Sequence, residues 1–278
     1  MRTVRETLDG AVRRLAAAGI DNPRLDSRLL LAEALGVEKS WLFNHPEKTI
    51  DADLFERLLA RRLEREPMSS ILGRREFWSL DFVVTPDTLA PRPDSETLIE
   101  AVLAALPDRS APLSLVDFGT GTGCLLLTLL SELPNAEGIG IDISRPALAI
   151  AGGNAKRLGL ADRCRFLCSD WSAALEGRFD LIISNPPYIP SGDIAGLEPE
   201  VARFEPLSAL DGGADGLDAY RALAAQIPPL LKPGGIGAFE VGAGQAPQVA
   251  ALLAEAGLTP RGIHRDLGGI ERVVTFAC

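Results

Sequence analysis

From Leu113 to the C-terminus, short apolar runs alternate with helical runs, and that alternation constrains the fold more than any other property of the chain. The runs read as strands are Ser114–Phe118, Gly138–Ile141, Arg165–Leu167, Leu181–Ile183, Gly237–Val241, Arg261–His264 and Arg272–Phe276, and those read as helices are Cys124–Glu132, Arg145–Leu158, Ala219–Leu231 and Ala246–Ala256. Parallel strands need long crossovers, usually helical, and the crossovers cover both faces of the sheet. The expected class is α/β, with a Rossmann-like, mostly parallel seven-stranded sheet in a domain spanning residues 91–278.

Residues 1–72 have a different period and read as a small helical domain. Val4, Leu8, Ala11, Val12 and Leu15 recur at helical spacing with Gly19 as a stop. Leu25, Leu29, Ala32 and Leu35 line a second helix, capped by Asn22 ahead of Pro23 and ended by Gly36. A third, capped by Asp51, carries Leu54, Leu58, Leu59 and Leu63. Its arginines, Arg57, Arg61, Arg62 and Arg65, are interspersed with acids and read as a solvated face. Residues 73–90 switch toward alternation at Phe77, Leu80, Phe82 and Val84, as in a hairpin linking two domains. A helix is expected over Asp94–Ala105, with Asp94 or Ser95 as its cap.

Charge and cysteine usage exclude several functions. The net charge of −10 argues against phosphate-backbone binding, which needs a clustered basic face, so direct nucleic-acid contact is not expected. Cys124, Cys164, Cys168 and Cys278 form no Cys-x-x-Cys pair, and His45 and His264 are far apart in sequence, so no metal site is expected. Free thiols, no apolar leader and no run long enough to span a membrane suggest a cytoplasmic protein.

Three segments carry the chemistry. In Val116-Asp117-Phe118-Gly119-Thr120-Gly121-Thr122-Gly123-Cys124 an apolar strand runs into a glycine loop and then a helix. About twenty residues later the second strand ends at Asp142, where an acid can accept from ribose hydroxyls. The dinucleotide fingerprint has glycines at its first, third and sixth positions. Here they stand first, third and fifth, which favours a nucleoside without a pyrophosphate, such as that of S-adenosylmethionine. Ser169-Asp170-Trp171 follows the third strand, where an acid can accept from an adenine amine and an indole can pack on the ring.

Asn185-Pro186-Pro187-Tyr188 follows the fourth strand. Proline lacks an N–H and restricts the residue before it, so this corner is stiff and its carbonyls lose their usual donors. A side-chain amide, a free carbonyl and a ring face at one sheet edge suit a planar NH₂ group. Taken together, these segments resemble the class I S-adenosylmethionine-dependent methyltransferases, and Asn-Pro-Pro-Tyr resembles the versions that methylate an adenine N6 amine or a glutamine amide.

Further segments narrow the resemblance. They are Arg75-Glu76-Phe77-Trp78, Leu89-Ala90-Pro91-Arg92-Pro93-Asp94-Ser95-Glu96, Glu200 to Leu210 running into Gly212-Gly213, and Phe239-Glu240-Val241-Gly242 before Gln245. With them almost the whole chain resembles the HemK/PrmC family of release factor glutamine methyltransferases. That resemblance implies transfer of methyl from S-adenosylmethionine, leaving S-adenosylhomocysteine, to the glutamine of the Gly-Gly-Gln motif of bacterial class 1 peptide chain release factors. It implies cofactor contacts at Gly119, Thr120, Gly121, Thr122, Gly123, Asp142, Asp170, Trp171 and Asn185. It implies a substrate clamp of Asn185, Pro186, Pro187 and Tyr188, with Asn185, Pro186 and Tyr188 catalytic and Tyr188 stacked on the amide. A monomer is expected, docking its substrate through the N-terminal domain. Ala90, in place of a larger aliphatic, and Asp94-Ser95, in place of Glu-Thr, depart from the family pattern. The competing readings are an adenine-N6 nucleic-acid methyltransferase, a glutamine methyltransferase of a ribosomal protein, and a non-catalytic cofactor-binding scaffold.

Overall fold

The computed structural model describes residues 1–278, which divide into two compact units. The first comprises Met1–Gly73 together with Glu198–Phe204. Its elements are β1 (Arg2–Thr3), α1 (Val4–Ala17), α2 (Pro23–Leu35), α3 (Lys39–Asn44), β2 (Thr49–Ile50), α4 (Asp53–Leu63) and α5 (Met68–Leu72), with the short α9 (Pro199–Ala202) supplied from later in the chain. Thr3 and Glu6 form a capping box on α1, and Gly36 closes α2 in the left-handed conformation. Val4, Leu15, Leu30, Leu31, Phe55 and Leu59 form its core.

The arginine-rich face of α4 is not uniformly solvated. Arg62 is buried, donating from Nε to Asp26 at 2.8 Å and from Nη1 to Glu200 at 3.0 Å, while Arg65 pairs with the same Glu200 at 2.7 Å. The expected exposed face failed because its partner acids are distant in sequence. Asp51 accepts from the Asp53 N–H at 2.9 Å, one residue ahead of the actual N-cap, Ala52.

The second unit comprises Arg74–Leu197 and Glu205–Cys278. It opens with the antiparallel hairpin β3 (Arg74–Phe77) and β4 (Leu80–Val83), whose turn holds Trp78 and Ser79 at positive φ. Next come α6 (Glu96–Ala105), β5 (Ser114–Phe118), α7 (Cys124–Glu132), β6 (Glu137–Asp142), α8 (Arg145–Arg157), β7 (Cys164–Cys168) and β8 (Phe179–Ser184). The chain ends with α10 (Asp218–Gln226), β9 (Leu231–Glu240), α11 (Ala246–Glu255), β10 (Thr259–Arg265) and β11 (Glu271–Ala277). The sheet has seven strands in the order β10-β11-β9-β8-β5-β6-β7, and only β11 runs antiparallel to its neighbours.

Alternation along the central strands divides the core. Leu115, Leu181, Ile183 and Ala238 face α6 and α7, while Val116, Phe118, Ile182 and Phe239 face α10 and α11. The helix expected over Ala219–Leu231 stops at Gln226 and Leu231 begins β9, because Pro228 and Pro229 withhold the N–H groups that a longer helix needs.

Candidate active site

The loops leaving the C-terminal ends of β5, β6, β7 and β8 enclose a cavity of about 320 Å³, where open parallel sheets place their ligands. Beyond β5 the chain turns through Gly119, Gly121 and Gly123 at φ of 71°, 56° and 80°, a region that strains any residue with a Cβ. This turn aims the Gly121 N–H at Asp142, which accepts it on Oδ2 at 2.9 Å and accepts the Ser144 N–H on Oδ1 at 2.9 Å. Each carboxylate oxygen keeps a free lone pair, and Asp142 lines the cavity.

Thr120 donates from its hydroxyl to Asp117 Oδ2 at 2.7 Å. Burial pushes the Asp117 carboxyl up to about 7, against that hydrogen bond. Asp117 Oδ1 and the Thr122 hydroxyl are buried without a partner in the chain, and Thr122 lines the cavity. At the next loop Asp170 is exposed and Trp171 half-buried against the α10–α11 side of the core; both line the cavity.

Beyond β8 the corner brings Asn185 and Pro187 to the cavity wall. Asn185 Nδ2 donates to the Ser95 hydroxyl at 3.5 Å. No N–H or O–H of the chain donates to the Pro186 carbonyl. The following residues are pinned: Gln245 Nε2 donates to the Tyr188 carbonyl at 2.9 Å, and Ile189 exchanges hydrogen bonds with Leu210 and Gly212. A Cβ on Gly216 would lie 2.3 Å from the Tyr188 carbonyl oxygen. The Gly212–Gly216 segment, whose Gly-Gly-Ala-Asp-Gly composition reads as a flexible loop, is packed behind the corner.

Of the residues singled out from sequence, Gly119, Thr120, Gly121, Thr122, Asp142, Asp170, Trp171, Asn185 and Pro187 meet at this cavity. Gly123, Pro186 and Tyr188 lie outside its lining. Gly123 closes the turn by donating to the Thr120 carbonyl at 2.7 Å. Tyr188 packs beside Gly242, where an added Cβ would meet its Cδ2 at 2.9 Å, and against the α10–α11 side of the core.

Residues 6–73 match the PrmC N-terminal domain model and residues 94–195 the methyltransferase small domain. A release factor glutamine methyltransferase of Rhodospirillum rubrum is 52% identical over 268 residues, covering 95% of this chain and 82% of that one. Another, of Cereibacter sphaeroides, is 48% identical over 97% of this chain and 96% of its own. The chain belongs to the release factor glutamine methyltransferase family. A methyltransferase structure from Pyrococcus furiosus, 17% identical with a TM-score of 0.53 over 80% of this chain and 98% of its own, shares the fold. As a member of this family the protein is an S-adenosylmethionine-dependent methyltransferase.

In this methyltransferase two of the segments that carried the resemblance meet at the site. Glu205 accepts the Ala90 N–H at 3.2 Å and an Arg92 N–H at 3.2 Å, and Ala90 and Arg92 both line the cavity. Neither Asp94 nor Ser95 caps α6 through its side chain; the Ser95 hydroxyl turns to Asn185 instead.

Two functional neighbours escaped the sequence reading. Asn154, fully buried on α8, accepts the Val83 N–H at 2.8 Å and donates to the carbonyls of Val83 and Thr122, tying the hairpin to the glycine loop. Its only signal was an amide inside a helical run, where asparagine is disfavoured. Glu240 is 2% exposed at the end of β9. An acid ending an apolar strand, as at Asp142, was its signal.

Proposed function

We propose that this methyltransferase acts on the side-chain amide of the glutamine in the Gly-Gly-Gln motif of bacterial class 1 peptide chain release factors. The observation that carries this reading is the corner after β8, which puts Asn185 and Pro187 on the cavity wall and, between them, leaves a Pro186 carbonyl that no donor of the chain engages. The names of the relatives support the choice of substrate.

The residues present fit the cofactor. The Gly119–Gly123 loop would follow the nucleoside, Asp142 would take the ribose hydroxyls on its remaining lone pairs, and Asp170 and Trp171 would meet the adenine. Bound S-adenosylmethionine supplies a methyl group on an electron-poor sulfonium carbon and leaves as S-adenosylhomocysteine.

The chain's own task is to present the amide nitrogen. That nitrogen is a poor nucleophile because its lone pair is delocalised into the carbonyl. Asn185 Oδ1 and the Pro186 carbonyl each accept one of its N–H groups. Both protons are then held aside, the lone pair is free to face the methyl carbon, and one of the two protons is given up to water as the nitrogen gains the methyl group and turns acidic. Positioning of this kind can lower a barrier by about 7–11 kcal/mol in favourable cases. Pro187 walls the pocket, and Tyr188, locked by Gln245 and Gly216, keeps the corner from relaxing. We assign substrate docking to the helical residues 1–72, linkage to 73–90 and catalysis to 91–278, in a cytoplasmic monomer. No helix is long and apolar enough to cross a membrane.

The reading is tested by incubating the full chain and Asn185→Ala with labelled methyl donor and a purified release factor. Transfer to the factor by the unaltered chain, lost in the variant, is expected. Near-normal turnover in the variant would refute the clamp.

A further inference from the structure

Parallel pairing sets Ser184 of β8 opposite Phe239 of β9, so the next residues, Asn185 and Glu240, are neighbours across the ladder and share a face. Val273, the β11 partner of Glu240, belongs to the core on the α6 side, which fixes that face. Ser95 at the start of α6 completes the group. Glu240 is buried, and its Oε2 has no hydrogen-bond partner.

Burial pushes the Glu240 carboxyl up to about 7, opposed by the neighbouring Ser95 hydroxyl, the charge of Arg272 and the Asn185 amide, and reinforced by Asp94. Tyr188, Tyr220 and Cys124 also feel its charge. This carboxyl is not on the cavity wall, so it acts through a neighbour.

An ionised carboxylate only accepts hydrogen bonds, whereas an asparagine amide offers NH₂ on one side and oxygen on the other. Flanked by Ser95 and a carboxylate, Asn185 must turn its Nδ2 toward them, as the 3.5 Å contact to Ser95 records. Its Oδ1 then faces away from them. We propose that Glu240 is a positioning residue that fixes the flip of the Asn185 amide, so that the corner shows oxygen to the substrate and selects a group bearing N–H donors over a carboxylate. This rests on the glutamine reading above.

Protonated Glu240 can donate a hydrogen bond, and it then stabilises the opposite flip equally well. The orientation is therefore enforced when Glu240 is ionised and relaxed when it is protonated. Activity lost as pH falls through about 7 is the expected signature.

The experiment compares the full chain with Glu240→Gln and Ser95→Ala at saturating methyl donor, on a purified release factor, from pH 5.5 to 9. The unaltered chain is expected to lose kcat on the acid side. Glu240→Gln, which fits the same space but can donate, should show kcat about 10-fold or more lower at pH 8, a flat acid limb, and cofactor affinity unchanged within about threefold. Ser95→Ala should lower kcat while keeping the limb. Unchanged kcat in Glu240→Gln overturns the proposal. So does an acid limb that persists in it, which would then belong to Asp117, the other carboxyl that burial raises to about 7. A full chain that methylates no glutamine at any pH overturns the substrate reading and this proposal with it.

Discussion

Asn185 lines the cavity, and the role proposed for it lies between cofactor and substrate, so its removal should separate binding from chemistry. Asn185→Ala is expected to lower kcat by about 10²–10³-fold, in the range seen when one preorganised polar group is removed from an active site, with the cofactor Kd within about threefold. Asp142→Ala should do the reverse. Its carboxylate holds the N–H groups of Gly121 and Ser144, so its loss should raise the cofactor Kd by more than about tenfold and leave saturated kcat within about threefold. Equilibrium dialysis and single-turnover rates separate the two outcomes. Asp117 bears on stability. Its carboxyl is raised in the folded chain, so the native state binds more protons than the unfolded one between about pH 4 and 7, and stability falls as pH rises through that window. Asp117→Asn removes this penalty and should raise Tm at pH 8 by about 2–6 °C and leave it nearly unchanged at pH 4. Thermal melts of the ligand-free chain at both values check it. The places of Asp142 and Asn185 on the cavity could be read from sequence because one ends an apolar strand and the other directly follows one. The partner of each could not: Ser144 and Ser95 join through loop geometry that no period announces.

At the scale of elements, strands and helices of the sheet unit were legible within a few residues. β5 and α7 coincide with their expected bounds because apolar runs and the glycine loop delimit them sharply. α10 was read too long because apolar residues continue through the two prolines into β9. What the sequence hid is how elements are tied together. Asn154 satisfies one N–H and two carbonyls of the hairpin and the glycine loop, so Asn154→Ala should cost about 2–4 kcal/mol in urea unfolding, since buried backbone groups lose their partners. A loss below about 0.5 kcal/mol would mean that those groups find other donors and acceptors. The Gly212–Gly216 segment misled because its composition is that of a mobile loop, whereas its glycines are there for close approach. Gly216 sits at φ 76° against the Tyr188 carbonyl, so Gly216→Ala should displace the corner and reduce kcat more than cofactor affinity.

At the scale of the molecule, the chain order and the spatial order differ. Glu198–Phe204 leaves the catalytic part of the sequence and joins the N-terminal helices, where Glu200 meets Arg62 and Arg65. Arg62 also neutralises the buried Asp26, so Arg62→Ala would leave that acid uncompensated while Glu200 keeps Arg65, and should destabilise the helical unit by about 3–5 kcal/mol. The sequence could not announce this network, because local charge alternation on α4 looks the same whether its partners are solvent or distant acids. The central claim concerns the whole enzyme: a proline-stiffened corner presents two oxygens to a carboxamide. It is tested most directly by methylating a purified release factor with labelled donor and mapping the modified residue by mass spectrometry. One methyl on the side-chain nitrogen of the Gly-Gly-Gln glutamine, absent with Asn185→Ala, is the expected result. Label on another side chain, or on an adenine in added nucleic acid and not on the protein, would contradict it.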